Sequence, residues 1–129
     1  MILDSSAIVA VLRAEVDASD YAEAIASAPK CRVSAVNYVE AAVVIDSSKD
    51  PVASRRFDDF FRASRITVET VTSSQAEIAR QAYRDFGKGH HKAGLNFGDC
   101  FAYALAKETD EPLLFKGDDF RHTDIEAAS

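Results

Sequence analysis

Met1-Ile2-Leu3-Asp4-Ser5-Ser6-Ala7-Ile8-Val9-Ala10-Val11-Leu12 opens the chain, and its pattern decides the fold class. Three apolar residues stop at an acid, and two serines lead into a second apolar run. The first run has the length of a buried strand. The second predicts a helix capped by Asp4 or one of the serines. A strand that feeds a capped helix opens an α/β sheet, and open α/β sheets place their ligand chemistry at strand ends. Asp4 stands at such an end; a plain helix cap is its simpler role.

The same alternation recurs along the chain. Asp17 to Ala28 predicts a helix that ends before Pro29, and Cys31-Arg32-Val33 a second strand. Ser34 then caps a helix from Ala35 to about Ser48. After the break at Lys49-Asp50-Pro51, Val52 to about Ala63 is helical. Its Phe57, Phe60 and Phe61 share one side, as core, as a helix–helix contact or as a dimer surface. Ile66-Thr67-Val68 is a third strand. Ser74-Gln75-Ala76-Glu77 has capping-box spacing, and the helix behind it stops at Gly87. Leu113-Leu114-Phe115 is a fourth strand, and Arg121 to Ser129 a short polar tail. The order predicts a short parallel sheet flanked by helices, in one domain spanning residues 1–129.

The 129 residues are 47% hydrophobic and 28% charged, the composition of a soluble globular protein. No apolar run nears the ~20 residues of a membrane span. No basic segment precedes the apolar start, so no secretory signal and a cytoplasmic location are expected. Cys31 and Cys100 form no metal or redox pattern and fit reduced core thiols. The net charge of −6 argues against bulk electrostatic binding of nucleic acid and leaves room for a local basic patch.

A second stretch carries the chemistry: Leu95-Asn96-Phe97-Gly98-Asp99-Cys100-Phe101-Ala102-Tyr103-Ala104-Leu105-Ala106. Asn96 and Asp99 form a capping-box-like pair ahead of an apolar helix. Asp99 sits in its first turn, where the helix dipole favours a carboxylate. In the helix after Ser34, Val36, Val39 and Val43 are expected to face the core, which puts Glu40 on or beside that stripe. A carboxylate there is costly unless it is paired, protonated, bound to a cation or able to snorkel to water. Gly87-Lys88-Gly89-His90-His91-Lys92-Ala93-Gly94, with Arg84 ahead of it, is a flexible basic loop, either solvated or in contact with phosphates. The histidines lack a third ligand at zinc spacing.

Right-handed crossovers would bring the strand ends to one edge. Asp4, Asp118-Asp119, Glu40 and Asp99 are then expected to share one cleft. Clustered carboxylates need a compensating charge, and oxygen-only donors favour Mg²⁺ or Mn²⁺ over zinc. With neither a P-loop nor a Gly-rich dinucleotide fingerprint present, such a site suits phosphodiester hydrolysis.

Met1 to Ala7, Tyr38-Val39-Glu40, Asn96 to Ala106 and Leu113-Leu114-Phe115-Lys116-Gly117-Asp118-Asp119-Phe120, taken in order, resemble the PIN-domain ribonucleases. More narrowly they resemble the VapC toxins of bacterial type II toxin–antitoxin pairs. The resemblance spans essentially the whole chain. It implies a Rossmann-like PIN fold, Mg²⁺- or Mn²⁺-dependent endoribonuclease activity, a homodimer and neutralisation by a VapB-type antitoxin. The implied substrate is structured RNA with single-stranded loops, tRNA among the candidates. The resemblance also assigns roles. Asp4 and Asp99 would bind the metal directly, Glu40 would complete the ligand set or hold a metal-bound water, and Ser6 would support Asp4. Gly117 stands where many members carry an Asp, so Asp119, which lies in the Asp-Phe pair, would be the fourth acid, with Asp118 as its substitute. Apart from the resemblance, the basic loop with its Arg84, Lys88, His90, His91 and Lys92 is the candidate contact for the RNA backbone beside the cleft. Two other readings are a metal-dependent phosphatase and a binding module with a degenerate site. The first lacks a second Asp two residues after Asp4; the second is disfavoured by the full set of acids.

Overall fold

Ile2 and Leu3 form the first strand, β1 (Ile2–Leu3), and their side chains point to opposite faces of the sheet. The computed structural model describes residues 1–128. The chain continues through α1 (Ser5–Leu12), α2 (Ala18–Ser27), β2 (Arg32–Ser34), α3 (Ala35–Asp46) and α4 (Pro51–Ser64). It then runs through β3 (Thr67–Glu69), α5 (Ser73–Phe86), α6 (Phe97–Thr109) and β4 (Leu113–Leu114) to a 3-10 turn at Asp119–His122. The four strands form one parallel sheet in the order β3-β2-β1-β4.

Alternation along these very short strands builds two cores. Ile2 and Leu113 pack with Leu105, Phe115 and Phe120 beneath α5 and α6. Leu3 and Leu114 pack with Ile8, Val33, Ile45 and Phe57 beneath α1 to α4. From β1 the chain steps outward to β2 and β3, then returns to place β4 on the other side of β1. The strand order therefore reverses between β1 and β4, and the crevice past the carboxyl ends of such a pair is where α/β sheets bind ligands. Asp4 follows β1 directly, and Lys116 to Asp119 follow β4.

Most helix starts match their sequence signals. Asp4 caps α1 and Ser34 caps α3; Asp50 caps α4 ahead of Pro51. The start of α5 differs from expectation. Thr72, two residues before Ser74, accepts the Gln75 N–H at 3.1 Å and begins the helix. Thr72 and Gln75 have the same i, i+3 spacing as Ser74 and Glu77, so spacing alone did not choose between them.

The buried face of α3 also differs. Asn37, Ala41 and Ile45 are buried, with Tyr38 and Ala42 packed beside them. Val39 and Val43 are 55% and 60% exposed. This helix is apolar nearly all round, so periodicity does not pick its inner face; small Ala41 and Ala42 allow the closest approach. Tyr38 meets Phe57 and Phe61 edge-on, with centroids 5.3 and 4.9 Å apart, so the α4 phenylalanines form an α3–α4 contact. The C-terminal tail is structured as well. Leu113 N–H donates to Glu126 O and Ala128 N–H to Leu113 O, which extends the sheet past β4. Ser129 lies outside the described residues. Both cysteines are free and buried. Among the described residues, no helix is long and apolar enough to cross a membrane.

Candidate active site

Asp4 is 3% exposed and caps α1 through one oxygen only. Its Oδ2 accepts the Ser6 N–H at 3.0 Å and the Ser6 hydroxyl at 2.6 Å. Ser6 Oγ in turn accepts the Lys116 N–H at 2.9 Å, which ties the end of β1 to the end of β4. Oδ1 of Asp4 is buried without a partner. Burial pushes the Asp4 carboxyl up to about 6 against the pull of the Ser6 bonds, and the Glu40 charge adds to the rise.

Asp99 is 8% exposed at the start of α6. The capping box is complete: Asn96 N–H donates to Asp99 Oδ2 at 3.0 Å, and Asp99 N–H donates to Asn96 Oδ1 at 2.9 Å. Burial nonetheless raises its carboxyl to about 7, outweighing the Asn96 bond, and the charges of Asp4, Asp119 and Glu40 push the same way. The charges of Asp4, Glu40 and Asp119 therefore all bear on Asp99.

Glu40 reaches this edge from α3. Its Oε1 accepts the Ser5 hydroxyl at 2.5 Å and the Asn37 amide at 3.3 Å. The carboxyl group lies over Gly98, where a Cβ would fall inside contact distance of Oε1, Cδ and Oε2. Asn37 also donates to Gly98 O at 2.9 Å, joining α3 to α6. Ser5 and Asn37 were not singled out from the sequence. The available signals were a serine beside Asp4 and an asparagine one helical turn before Glu40.

Asp119 is exposed on the 3-10 turn, which buried Phe120 anchors against Phe115 with centroids 5.2 Å apart. Its charge reaches Asp99. Asp118 is exposed as well and pairs with Arg121 at 3.5 Å. The basic loop is closed at its base, where Lys88 N–H donates to Leu95 O and Leu95 N–H to Phe86 O. It then runs directly into α6. Arg84, Lys88, His90 and Lys92 are exposed. His91 is half-buried against Phe86, and its Nδ1 accepts the Ala93 N–H at 3.0 Å, so it helps to shape the loop.

The raised carboxyls make stability depend on pH. A group with a higher pKa folded than unfolded holds more protons when folded. Stability is then lost as pH rises from the unfolded value to the folded one. For the ion-free protein the window runs from about 4 to about 7. Asp4 alone corresponds to on the order of 3 kcal/mol. Thermal melts in EDTA should show Tm falling between pH 5 and pH 8, with a smaller fall in Asp4→Asn. Equal falls in the two proteins would refute this.

The PIN domain family model matches residues 1–126. Ribonuclease VapC28 of Mycobacterium tuberculosis is 54% identical over 129 residues, covering 99% of this chain and 97% of the relative. The chain belongs to the VapC ribonucleases of the PIN-domain family. Ribonuclease VapC of Mycolicibacterium smegmatis is 46% identical, covering 98% of each chain. Among solved structures, Mycobacterium tuberculosis VapC20, described as a Sarcin-Ricin loop cleaving toxin, superposes with a TM-score of 0.79. The identity is 17%, over 96% of this chain and 95% of that one. A toxin–antitoxin complex from Klebsiella pneumoniae gives 0.72 at 15% identity, over 95% and 92%. At such identities the structural likeness concerns the fold, and it agrees with the Rossmann-like parallel sheet expected from the sequence.

Proposed function

We propose that this chain is the toxin of a toxin–antitoxin pair and hydrolyses RNA phosphodiester bonds with Mg²⁺ or Mn²⁺ in the acidic cleft. The observation that carries the metal requirement is charge left uncompensated. None of the ion pairs among the described residues includes Asp4, Glu40, Asp99 or Asp119.

The donor set fits a hard cation. It is all oxygen, and the orphaned Asp4 Oδ1 is a ready ligand. Among the described residues, no three His, Cys, Asp or Glu side chains form a preformed cage. Mg²⁺ takes one or two carboxylates directly and fills its other positions with water and substrate phosphate, so a pair of acids is enough to hold it. Asp4 and Asp99 would hold the ion, with Glu40 and Asp119 at its margin. When bound, it polarises the phosphodiester and stabilises the leaving oxygen. Ser6 holds Asp4 in one orientation. Glu40, whose Oε2 takes no protein donor, is placed to orient the attacking water.

Arg84, Lys88, His90 and Lys92 would contact the RNA backbone beside the cleft, and single-stranded loops suit the reaction because their bases are accessible. A cognate antitoxin is the expected protein partner, in keeping with the VapC relatives and the toxin–antitoxin complex among the structural neighbours. A second copy of this chain would cover the exposed Val39, Val43 and Phe97. Sedimentation showing only monomer at micromolar concentration would remove that contact.

The test is cleavage of total RNA by the antitoxin-free protein with Mg²⁺, with Mn²⁺ and with EDTA. Cleavage should need the ion; cleavage undiminished in EDTA would overturn the metal mechanism. In the same assay, Lys88→Ala with Lys92→Ala should weaken RNA binding and flatten its salt dependence. The log–log slope should fall by about 1.4, at roughly 0.7 per lost phosphate contact on a single strand. An unchanged slope would return the loop to a solvated role.

A further inference from the structure

We propose that Asn37 is a positioning residue for the reaction: its amide fixes the Glu40 carboxylate over Gly98, so that one carboxylate oxygen faces the cleft. The proposal rests on the ribonuclease reading above and concerns a residue outside the four acids. Asn37 is fully buried on α3, one turn before Glu40. Its Nδ2 donates one hydrogen to Gly98 O at 2.9 Å and the other toward Glu40 Oε1 at 3.3 Å. The Ser5 hydroxyl donates to the same oxygen at 2.5 Å. Oε1 is thereby occupied by two donors, and Oε2, which lies over Gly98, takes no protein donor.

The orientation of the amide is determined. Turned over, it would set Oδ1 against two acceptors, Gly98 O and Glu40 Oε1. In the orientation present, Oδ1 is buried with no partner. An unsatisfied buried acceptor works against stability. An apolar side chain would avoid that cost in the Ala41 and Ile45 face of α3. The Gly98 carbonyl, inside the first turn of α6, has an i+4 backbone N–H available and does not need the amide. What the asparagine supplies, and an apolar residue would not, is a two-pronged donor that locks a carboxylate to the neighbouring helix. Bridges of this kind behind a metal-binding carboxylate set its orientation.

The experiment compares wild type, Asn37→Ala, Asn37→Ser, Glu40→Ala and the Asn37→Ala/Glu40→Ala double variant. Each is measured for RNA cleavage, for Mn²⁺ affinity by calorimetry without RNA, and for Tm. Asn37→Ala should lower kcat and weaken Mn²⁺ binding by about 10–100-fold, the loss typical of partners behind a ligand. KM should stay near its wild-type value, because no phosphate contact is removed, and Tm should hold or rise. Asn37→Ser keeps one donor and should recover part of the loss. In the Glu40→Ala background, Asn37→Ala should change nothing further, because its effect passes through that carboxylate.

Additive losses in the double variant, or wild-type cleavage and Mn²⁺ affinity in Asn37→Ala, would overturn the positioning role alone. The role also fails if Asn37→Ala melts far below wild type while a stable Asn37→Ser cleaves fully, since the side chain is then structural. A wild type that neither binds Mn²⁺ nor cleaves RNA takes down the ribonuclease reading, and this role with it.

Discussion

Asp99→Asn is expected to abolish RNA cleavage while leaving a folded and somewhat more stable protein. The two effects share one cause. Asp99 is buried, is raised to about 7 and feels three other carboxylates, so its charge destabilises the ion-free fold at neutral pH. An asparagine can still accept the Asn96 N–H and leave its own N–H to the Asn96 side chain, so the capping box survives. What disappears is the carboxylate proposed to hold the ion at the acidic edge. The loss of activity should exceed the about 10–100-fold typical of changes one layer behind a metal. Stability should rise at pH 8 in EDTA, the usual trade at a site built for function. The check is a cleavage assay beside a thermal melt. Retained cleavage would remove Asp99 from the mechanism; lost cleavage with a collapsed Tm would make it a structural cap.

How much of this was legible in the sequence depended on the range of the interaction involved. The Asn96–Asp99 box and the Asp4 cap are local devices, and both stand where spacing put them. The sheet class followed from the alternation of elements, although strands of two or three residues cannot fix their own limits. The inner face of α3 was misassigned because valine at 36, 39 and 43 is as apolar as the alanines and isoleucine that face inward. Glu40 was reached by a stripe argument that had the wrong stripe. It meets the cleft because α3 crosses the start of α6, a tertiary fact absent from the helix itself. Asn37 is polar and would be expected outside; only Gly98 O and Glu40 explain its burial. The tail pairs through its backbone, which leaves no side-chain pattern to read.

Gly98→Ala should disable the site from a position that bears no functional group. Gly98 lies in the first turn of α6, and its backbone angles are open to any residue, so glycine is there for space. An added methyl would occupy the volume of the Glu40 carboxyl group. The cheapest relief is for that carboxyl, the far end of a flexible side chain on a half-buried residue, to swing toward solvent. Glu40 then loses the Ser5 and Asn37 donors together. Helix propensity favours alanine over glycine by about 0.8–1.0 kcal/mol within a helix, which offsets much of the disturbance, so Tm should change little. Cleavage should fall to the level of Glu40→Ala, a loss on the order of 100-fold. Adding Glu40→Ala to Gly98→Ala should then cost nothing more, because the carboxylate has already left the cleft. If instead Gly98→Ala cleaves like wild type, the carboxylate is not needed over α6. If it cleaves far less than Glu40→Ala, the methyl has displaced the helix start and Asp99 with it, and a drop in Tm would accompany that outcome.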